Sequence, residues 1–231
     1  METLFGKADL HIHSNHGQDS FSSIKSIFQA ADKKGLNVIG LTDHNTIKGC
    51  KEAKKIASDF KVDFVVGEEI TTKQGHLIGV FIDSFISADK PVLDTIKEIH
   101  QQGGLAIAPH SCSFFQKGIP LKTLLQVYQQ LDGIEFFNSS AYLLNFFSDK
   151  KNIKLKFEQL NLAAIGSSDA HVDLMVGTGY TLFPGESSSD LFNAIKNKKT
   201  KAQKSINFLA YAKLMINQPR ILMRKLLLGH F

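Results

Sequence analysis

Cysteine is scarce in this chain of 231 residues, and Cys50 and Cys112 lack the paired spacing of a zinc knuckle. That excludes a disulfide framework and leaves two thiols expected to stay reduced, with no redox role. Long apolar runs are missing too: nothing approaches the roughly eighteen residues of a membrane span. The opening METLFGKADL has neither the apolar stretch nor the cleavage site of a secretory signal, so a cytoplasmic location is expected. The five prolines are scattered and form no linker, and no internal repeat or low-complexity segment breaks the chain. Arginine occurs only as Arg220 and Arg224, so the bidentate clamp common at nucleotide sites is lacking unless the tail folds back. Acid is absent from residues 191–231, which carry nine lysines and arginines. Residues 1–190 hold 18 basic groups against 22 acidic ones, so the net charge of +5 arises at one end.

What is present fits a single α/β domain. A hydrophobic content of 43% over this length supplies one substantial core. In the first half, short β-branched runs alternate with amphipathic stretches, as when parallel strands are joined by crossover helices. Strands are expected at Lys7 to His11, Asn37 to Thr42, Phe64 to Ile70, His76 to Ile82, Leu105 to Pro109, Gly133 to Phe137, Ala163 to Ser167 and Gly179 to Phe183. Ser22 or Ser23 can cap a helix carrying Ile24, Ile27, Phe28 and Ala31 at helical spacing. Further helices are expected over Thr46 to Ser58, Val92 to Gln102, Leu121 to Leu131, Asn145 to Leu160 and Ser188 to Asn197. Residues 1–197 form the domain in this reading. Residues 198–231 form a basic amphipathic tail, expected to pack on it through Phe208, Tyr211, Leu214, Met215, Leu222 and Leu226. The rival for the tail is contact with anionic lipid, nucleic acid or a second subunit.

Imidazoles and carboxylates gather at the strand ends. The first strand runs into DLHIHS, where alternate side chains share a face and His11 and His13 can meet one ion; Asp19 follows in the same loop. The second ends in TDHNT with His44, the third in GEEI with Glu68 and Glu69, and the fourth begins GHL with His76. APHS brings His110, and GSSDAH brings Asp169 and His171. Loops after parallel strands converge at one end of a barrel, so these groups can share one cleft. Imidazole and carboxylate together suit Zn, Mn or Fe, and the lack of thiolate leaves little reason to expect a purely structural zinc.

DLHIHS with Asp19, GLTDHNT, VVGEEI with GHLIGV, AIAPHS and IGSSDAH, in this order over most of residues 7–197, resemble the PHP (polymerase and histidinol phosphatase) family. VGTGYTLFPGESSSDLFNAIKNKKT is similar to the segment that follows the last motif in many members. The resemblance implies a distorted (β/α)7 barrel with a metal site at the C-terminal ends of the strands, over residues 1–197. It implies two or three divalent ions, Mn, Fe or Zn. In that scheme His11, His13, Glu69 and Asp169 hold one ion, and Glu69 bridges to a second held by His76 and His110. Asp19, His44 and His171 hold a third; some members carry histidine at the Asp19 position, which bears on that ion. Glu69 is favoured over its neighbour Glu68 by the Ile-Thr that follows. The activity implied is phosphate-ester hydrolysis. Clustered cations lower the pKa of bound water, supply a hydroxide and hold the ester's oxygens. The substrate is expected to be a nucleotide, an oligonucleotide or single-stranded nucleic acid, or another small phosphomonoester. The alternative is a non-catalytic module that binds nucleic acid or a protein partner.

Other candidates have plainer readings beside them. Asn138 at the end of its strand and Lys117 after His110 are the candidates for touching substrate, although Asn at a strand end is commonly a turn or cap. Asp9 and Asp43 are expected to support the loops or orient a ligand. His16, His100 and His230 read as ordinary solvated or packing residues, with His16 the one near enough to reconsider.

Overall fold

A computed structural model describes residues 4–111, 113, 116–144, 157–205, 209, 212, 215–217, 219, 220 and 223. Eight strands lie where the apolar runs put them: β1 (Phe5–Ile12), β2 (Val38–Leu41), β3 (Asp63–Thr72), β4 (Gly75–Val80), β5 (Leu105–Ala108), β6 (Gly133–Asn138), β7 (Ala163–Ser167) and β8 (Gly179–Pro184). A ninth, β9 (Lys201–Lys204), has no sequence signal, because KAQK carries no apolar alternation; it pairs antiparallel with β8 at the sheet edge. It lies beyond residue 197, so the sheet continues into the basic segment.

One sheet runs in the order β7-β6-β5-β4-β3-β2-β1-β8-β9 and curls into a nearly closed barrel. The expectation of parallel strands in the first half is corrected at β4, which runs antiparallel to β3 and β5; in the second half β8 runs antiparallel to β1. Only Lys73 and Gln74 separate β3 from β4, too short for a crossover, so the two form a hairpin. The seam of the barrel is made by backbone contact. Ala170, just past β7, exchanges hydrogen bonds with β1 (His13 N to Ala170 O, 3.0 Å; Ala170 N to His11 O, 3.3 Å). β7 also lies so close to β8 that a Cβ on Gly179 would sit 2.0 Å from the Ser167 carbonyl oxygen, which only glycine permits.

Helices cover the outside. α1 (Ile24–Lys33) is capped by Ser23, whose hydroxyl accepts from Ser26 N. α2 (Lys48–Ile56) and α4 (Leu121–Val127) each run into a short 3₁₀ turn, and α3 (Val92–Gln101) starts after Pro91. α5 (Ser139–Leu144) follows β6 directly. α6 (Ser188–Lys196) begins with a capping box between Ser187 and Asp190. Most of the helix expected over Asn145 to Leu160 lies outside the described residues; residues 157–159 are helical. The core has three parts. Inside the barrel, Ala8, Leu10, Val65, Ile78, Ile107 and Ile165 meet, with α6 contributing Leu191 and Ile195. α1 and α2 pack on the outer faces of β1 and β2 through Ile27, Phe28 and Ala53, and α3 and α4 cover β3 to β6 through Ile96, Ile99 and Leu124.

Of the tail, Phe208, Tyr211, Leu214, Leu222 and Leu226 fall outside the described residues, whereas Leu209, Met215, Ile216 and Met223 are exposed. Among the described residues no helix is long and apolar enough to cross a membrane.

Candidate metal centre

The register of the barrel explains how its histidine-bearing face arises. Ala8 and Leu10 belong to the interior apolar cluster, yet β1 advances three residues from Asp9 to Ile12 while β2 advances two from Ile39 to Leu41, a bulge in β1. The extra residue reverses the alternation, so Ile12 joins the outer core while His11 and His13 turn inward above Leu10. On β3, Glu69 lies on the face of Val65 and meets these histidines, while Glu68 points the other way and accepts from Ile86 N at 2.9 Å. Choosing Glu69 over Glu68 therefore agrees with strand alternation. The antiparallel course of β4 brings its first residues to the end where β3 finishes, which is why His76 stands at a strand start. His44 follows β2 and is bridged to Glu69, with Asn45 at a positive φ of 50° donating its N–H to Glu69 O. His110 (φ 25°) and Asp169 (φ 53°) also leave their strands through backbone conformations rare outside glycine.

All nine expected ligands meet in one pocket. Their donor atoms form five overlapping groups of three, each group within 4.8 Å. Glu69 stands at the centre. Its Oε2 lies 3.1 Å from His11 Nε2, 3.3 Å from His13 Nε2 and 3.3 Å from His44 Nδ1. Its Oε1 lies 2.9 Å from His76 Nδ1 and 3.0 Å from His110 Nε2. Asp169 Oδ1 is 3.3 Å from His13 Nε2 and 3.5 Å from both His11 Nε2 and His171 Nδ1. Asp19 Oδ2 is 3.2 Å from His44 Nε2 and 3.0 Å from His171 Nε2. With metal bonds of about 2.0–2.2 Å, neighbouring ligands of one ion sit roughly 3 to 3.5 Å apart, which matches these separations.

The donors fit divalent ions chemically as well. Both ring nitrogens of His13 and Nδ1 of His76 are buried without a hydrogen-bond partner, although carboxylate oxygens stand at 2.9–3.8 Å. Burial pushes the His13 pKa down to about 4 and lowers that of His76, so both rings are neutral at pH 7, the form that binds metal. Around His11 burial works the same way, but Asp169, Glu69 and Glu135 outweigh it and hold its pKa well above the ordinary value. Burial would raise the carboxylates; instead His44 and His11 keep Glu69 ionised, and His171 and His44 do so for Asp19. The nine residues offer nitrogen and oxygen donors, three carboxylates and no thiolate.

Three residues that the sequence reading passed over also belong here. Glu135, 4% exposed on β6, receives His11 Nδ1 at 2.9 Å, the His110 backbone N–H at 2.6 Å, Asn138 Nδ2 at 2.8 Å and the Ser167 hydroxyl. Its signal was an acid inside the apolar strand GIEFFN, at the same parity as Gly133. Gln116 donates to Asp169 Oδ2 at 2.7 Å, and Ser14 gives its N–H and hydroxyl to Asp43, each at 2.6 Å. Asp43 thus ties the loop after β2 to that after β1. Asp9 accepts from Ser168 N (3.1 Å) and Gly177 N (2.7 Å), holding the loop that carries Asp169 and His171. Asn138 donates to Glu135 and Asp169 and accepts from Ala141 N at 2.8 Å, so its amide is engaged within the protein. Lys117 is exposed, at a positive φ of 53°, and its carbonyl accepts from His76 N at 2.8 Å. His16 pairs with Glu52 at 2.7 Å and His100 with Asp132 at 2.8 Å, both outside the pocket; His230 lies beyond the described residues.

The model of the PHP domain matches residues 9–210. Uncharacterized protein MJ1587 of Methanocaldococcus jannaschii is 40% identical over 143 residues, 58% of this chain and 82% of that protein. A 5'-3' exoribonuclease of Haemophilus influenzae is 30% identical over 105 residues, 44% of this chain and 38% of the enzyme. The crystal structure of a two-domain protein from Bacteroides vulgatus, containing a predicted PHP-like metal-dependent phosphoesterase, superposes with a TM-score of 0.71 at 21% identity. That match covers 87% of this chain and 65% of the other, so the chain spans under two thirds of that protein.

Proposed function

The chain belongs to the PHP domain family, and from that premise we propose that it is a phosphoesterase using two or three divalent ions held by His11, His13, Asp19, His44, Glu69, His76, His110, Asp169 and His171. The observation that carries this reading is Glu69: one buried carboxylate faces His11, His13 and His44 with one oxygen and His76 and His110 with the other. A carboxylate so placed can join two ions. Bound there, the ions would activate water and neutralise the negative oxygens of a phosphate ester. The chain's own part is to keep the His13 and His76 rings neutral, to hold three carboxylates ionised beneath them, and to fix the surrounding loops through Asp9 and Asp43.

A nucleotide or oligonucleotide is the proposed substrate class, supported by the likeness to an enzyme named as a 5'-3' exoribonuclease. With few arginines, phosphate recognition would fall mostly to the ions. The test is metal analysis of purified protein joined to a screen of nucleoside 5'-monophosphates, 3',5'-bisphosphates, histidinol phosphate and 5'-phosphorylated oligonucleotides. Bound Mn, Fe or Zn is expected, with turnover of at least one nucleotide-type ester. His110→Ala and Asp169→Asn should lose metal and turnover together. Full turnover after stripping the ions would overturn the proposal. No turnover with any ion, joined to salt-sensitive nucleic-acid binding, would support the non-catalytic module instead.

For the tail, exposure of Leu209, Met215, Ile216 and Met223 beside Arg220 favours contact with anionic lipid. Truncation after Ser205 preserves β9 and is expected to reduce binding to phosphatidylserine vesicles. Equal binding before and after truncation would dismiss this role.

A further inference from the structure

We infer that Glu135 is a positioning residue that sets the ligating tautomer of His11 and steadies the strained backbone of His110, so that one carboxylate outside the ligand set governs two metal positions. The inference rests on the metal-binding reading above. Glu135 Oε2 receives the backbone N–H of His110 and Nδ2 of Asn138. Neither donor can reverse: a peptide N–H has no acceptor capacity, and Asn138 is oriented by Ala141 N on its Oδ1. Oε2 therefore has to be an acceptor. Oε1 faces the Ser167 hydroxyl and His11 Nδ1. A carboxylate offers acceptors on both oxygens, so the His11 proton belongs on Nδ1. Nε2 faces Glu69 Oε2 and Asp169 Oδ1, at 3.1 and 3.5 Å, so an ion shared with those carboxylates would take its lone pair while Nδ1 keeps the proton.

The same carboxylate bears on His110, whose φ of 25° is unfavourable for a side-chain-bearing residue. The N–H bond to Glu135 at 2.6 Å is one of the contacts that hold it there, and that conformation directs His110 Nε2 to Glu69. A merely structural glutamate would change stability when replaced. A positioning glutamate changes which imidazole nitrogen carries the proton.

Glu135→Gln separates these. The two fixed donors claim the amide oxygen at the Oε2 position, and the new NH₂ then faces His11 Nδ1. That nitrogen has to accept, and the proton moves to Nε2, where it blocks the metal. The experiment uses full-length protein with ¹⁵N-labelled histidine, His11 being assigned from a His11→Gln spectrum. Spectra are recorded with zinc bound, and in chelator at a pH where the ring is neutral. Nδ1–H is expected in the wild type and Nε2–H in Glu135→Gln. Zinc affinity measured by chelator competition is expected to fall about 10–100-fold. An Nε2–H ring at His11 in the wild type would overturn the inference without recourse to any variant. So would a Glu135→Gln protein that keeps Nδ1–H, or that binds zinc as tightly as the wild type. If the wild type binds no divalent ion, the phosphoesterase reading fails, while the spectrum in chelator still decides the tautomer.

Discussion

The barrel places carboxylates at both of its ends, but in different company. At the end where β1, β2, β3, β5 and β7 finish, Asp19, Glu69, Glu135 and Asp169 are all buried, each within reach of two or more histidine or amide groups. At the opposite end, Asp132 meets Lys196 Nζ at 3.1 Å and His100 Nε2 at 2.8 Å, with those partners 51% and 39% exposed. Asp63 and Asp190 there bind backbone N–H groups at the start of α6. The difference lies in water. Solvent screens the lower charges, which act one by one as staples; the upper ones have only each other to answer their charge, so altering one alters several.

The sharpest way to break this contrast is at its centre. Glu69→Gln removes charge from the carboxylate that five imidazoles face, and metal affinity should fall by more than about 100-fold, beyond what an outer partner costs. Chelator competition measures it; a loss of tenfold or less would mean that the upper carboxylates act singly after all. Removing the ions should expose the same dependence through pH. In chelator His11 has a raised pKa, so its favourable charge is fully present below about 6.5 and is lost as pH rises through the folded value. The melting temperature of the stripped protein should therefore fall from pH 6.5 to 9. About 1 kcal/mol corresponds to roughly 2–4 °C at this length. Zinc should abolish the fall, since ligating rings are already neutral. A stripped protein equally stable at both pH values would contradict the argument.

The loop supports lie between the extremes. Asp9→Asn sets an NH₂ against N–H donors from Ser168 or Gly177, whereas Asp43→Asn can keep its oxygen on Ser14 N and turn its NH₂ to the Ser14 hydroxyl. Asp9→Asn is expected to cost about 1–3 kcal/mol in denaturant unfolding under chelation, and Asp43→Asn less. A cost near zero for Asp9→Asn would show that the loop carrying Asp169 and His171 holds itself.

How far the sequence alone reached follows the same division between ends. The eight apolar strands were legible because burial on one or both faces leaves a pattern in composition, and the candidate ligands because each motif puts histidine or acid beside a strand end. Antiparallel β4 was not, since apolar spacing carries no direction; the position of His76 at the start of its run was a trace of it. β9 was hidden because an edge strand with little buried surface needs no apolar pattern. Glu135 was passed over because a residue that acts through other ligands has no motif of its own. A charge among GIEFFN contradicts the strand around it, and such contradictions are where buried polar networks surface in a sequence.

The smallest effect belongs to the lower end and makes the upper ones interpretable. Lys196→Ala removes an ammonium group that is half in water and shares Asp132 with His100 and with the N–H of Ala106. Water and the two remaining donors replace it. Unfolding stability should change by no more than about 0.5 kcal/mol, and zinc affinity not at all. A larger loss, or any change in metal binding, would mean that charge at the base of the barrel is coupled through the core to the pocket above. The contrast between the ends would then lie in degree and not in kind.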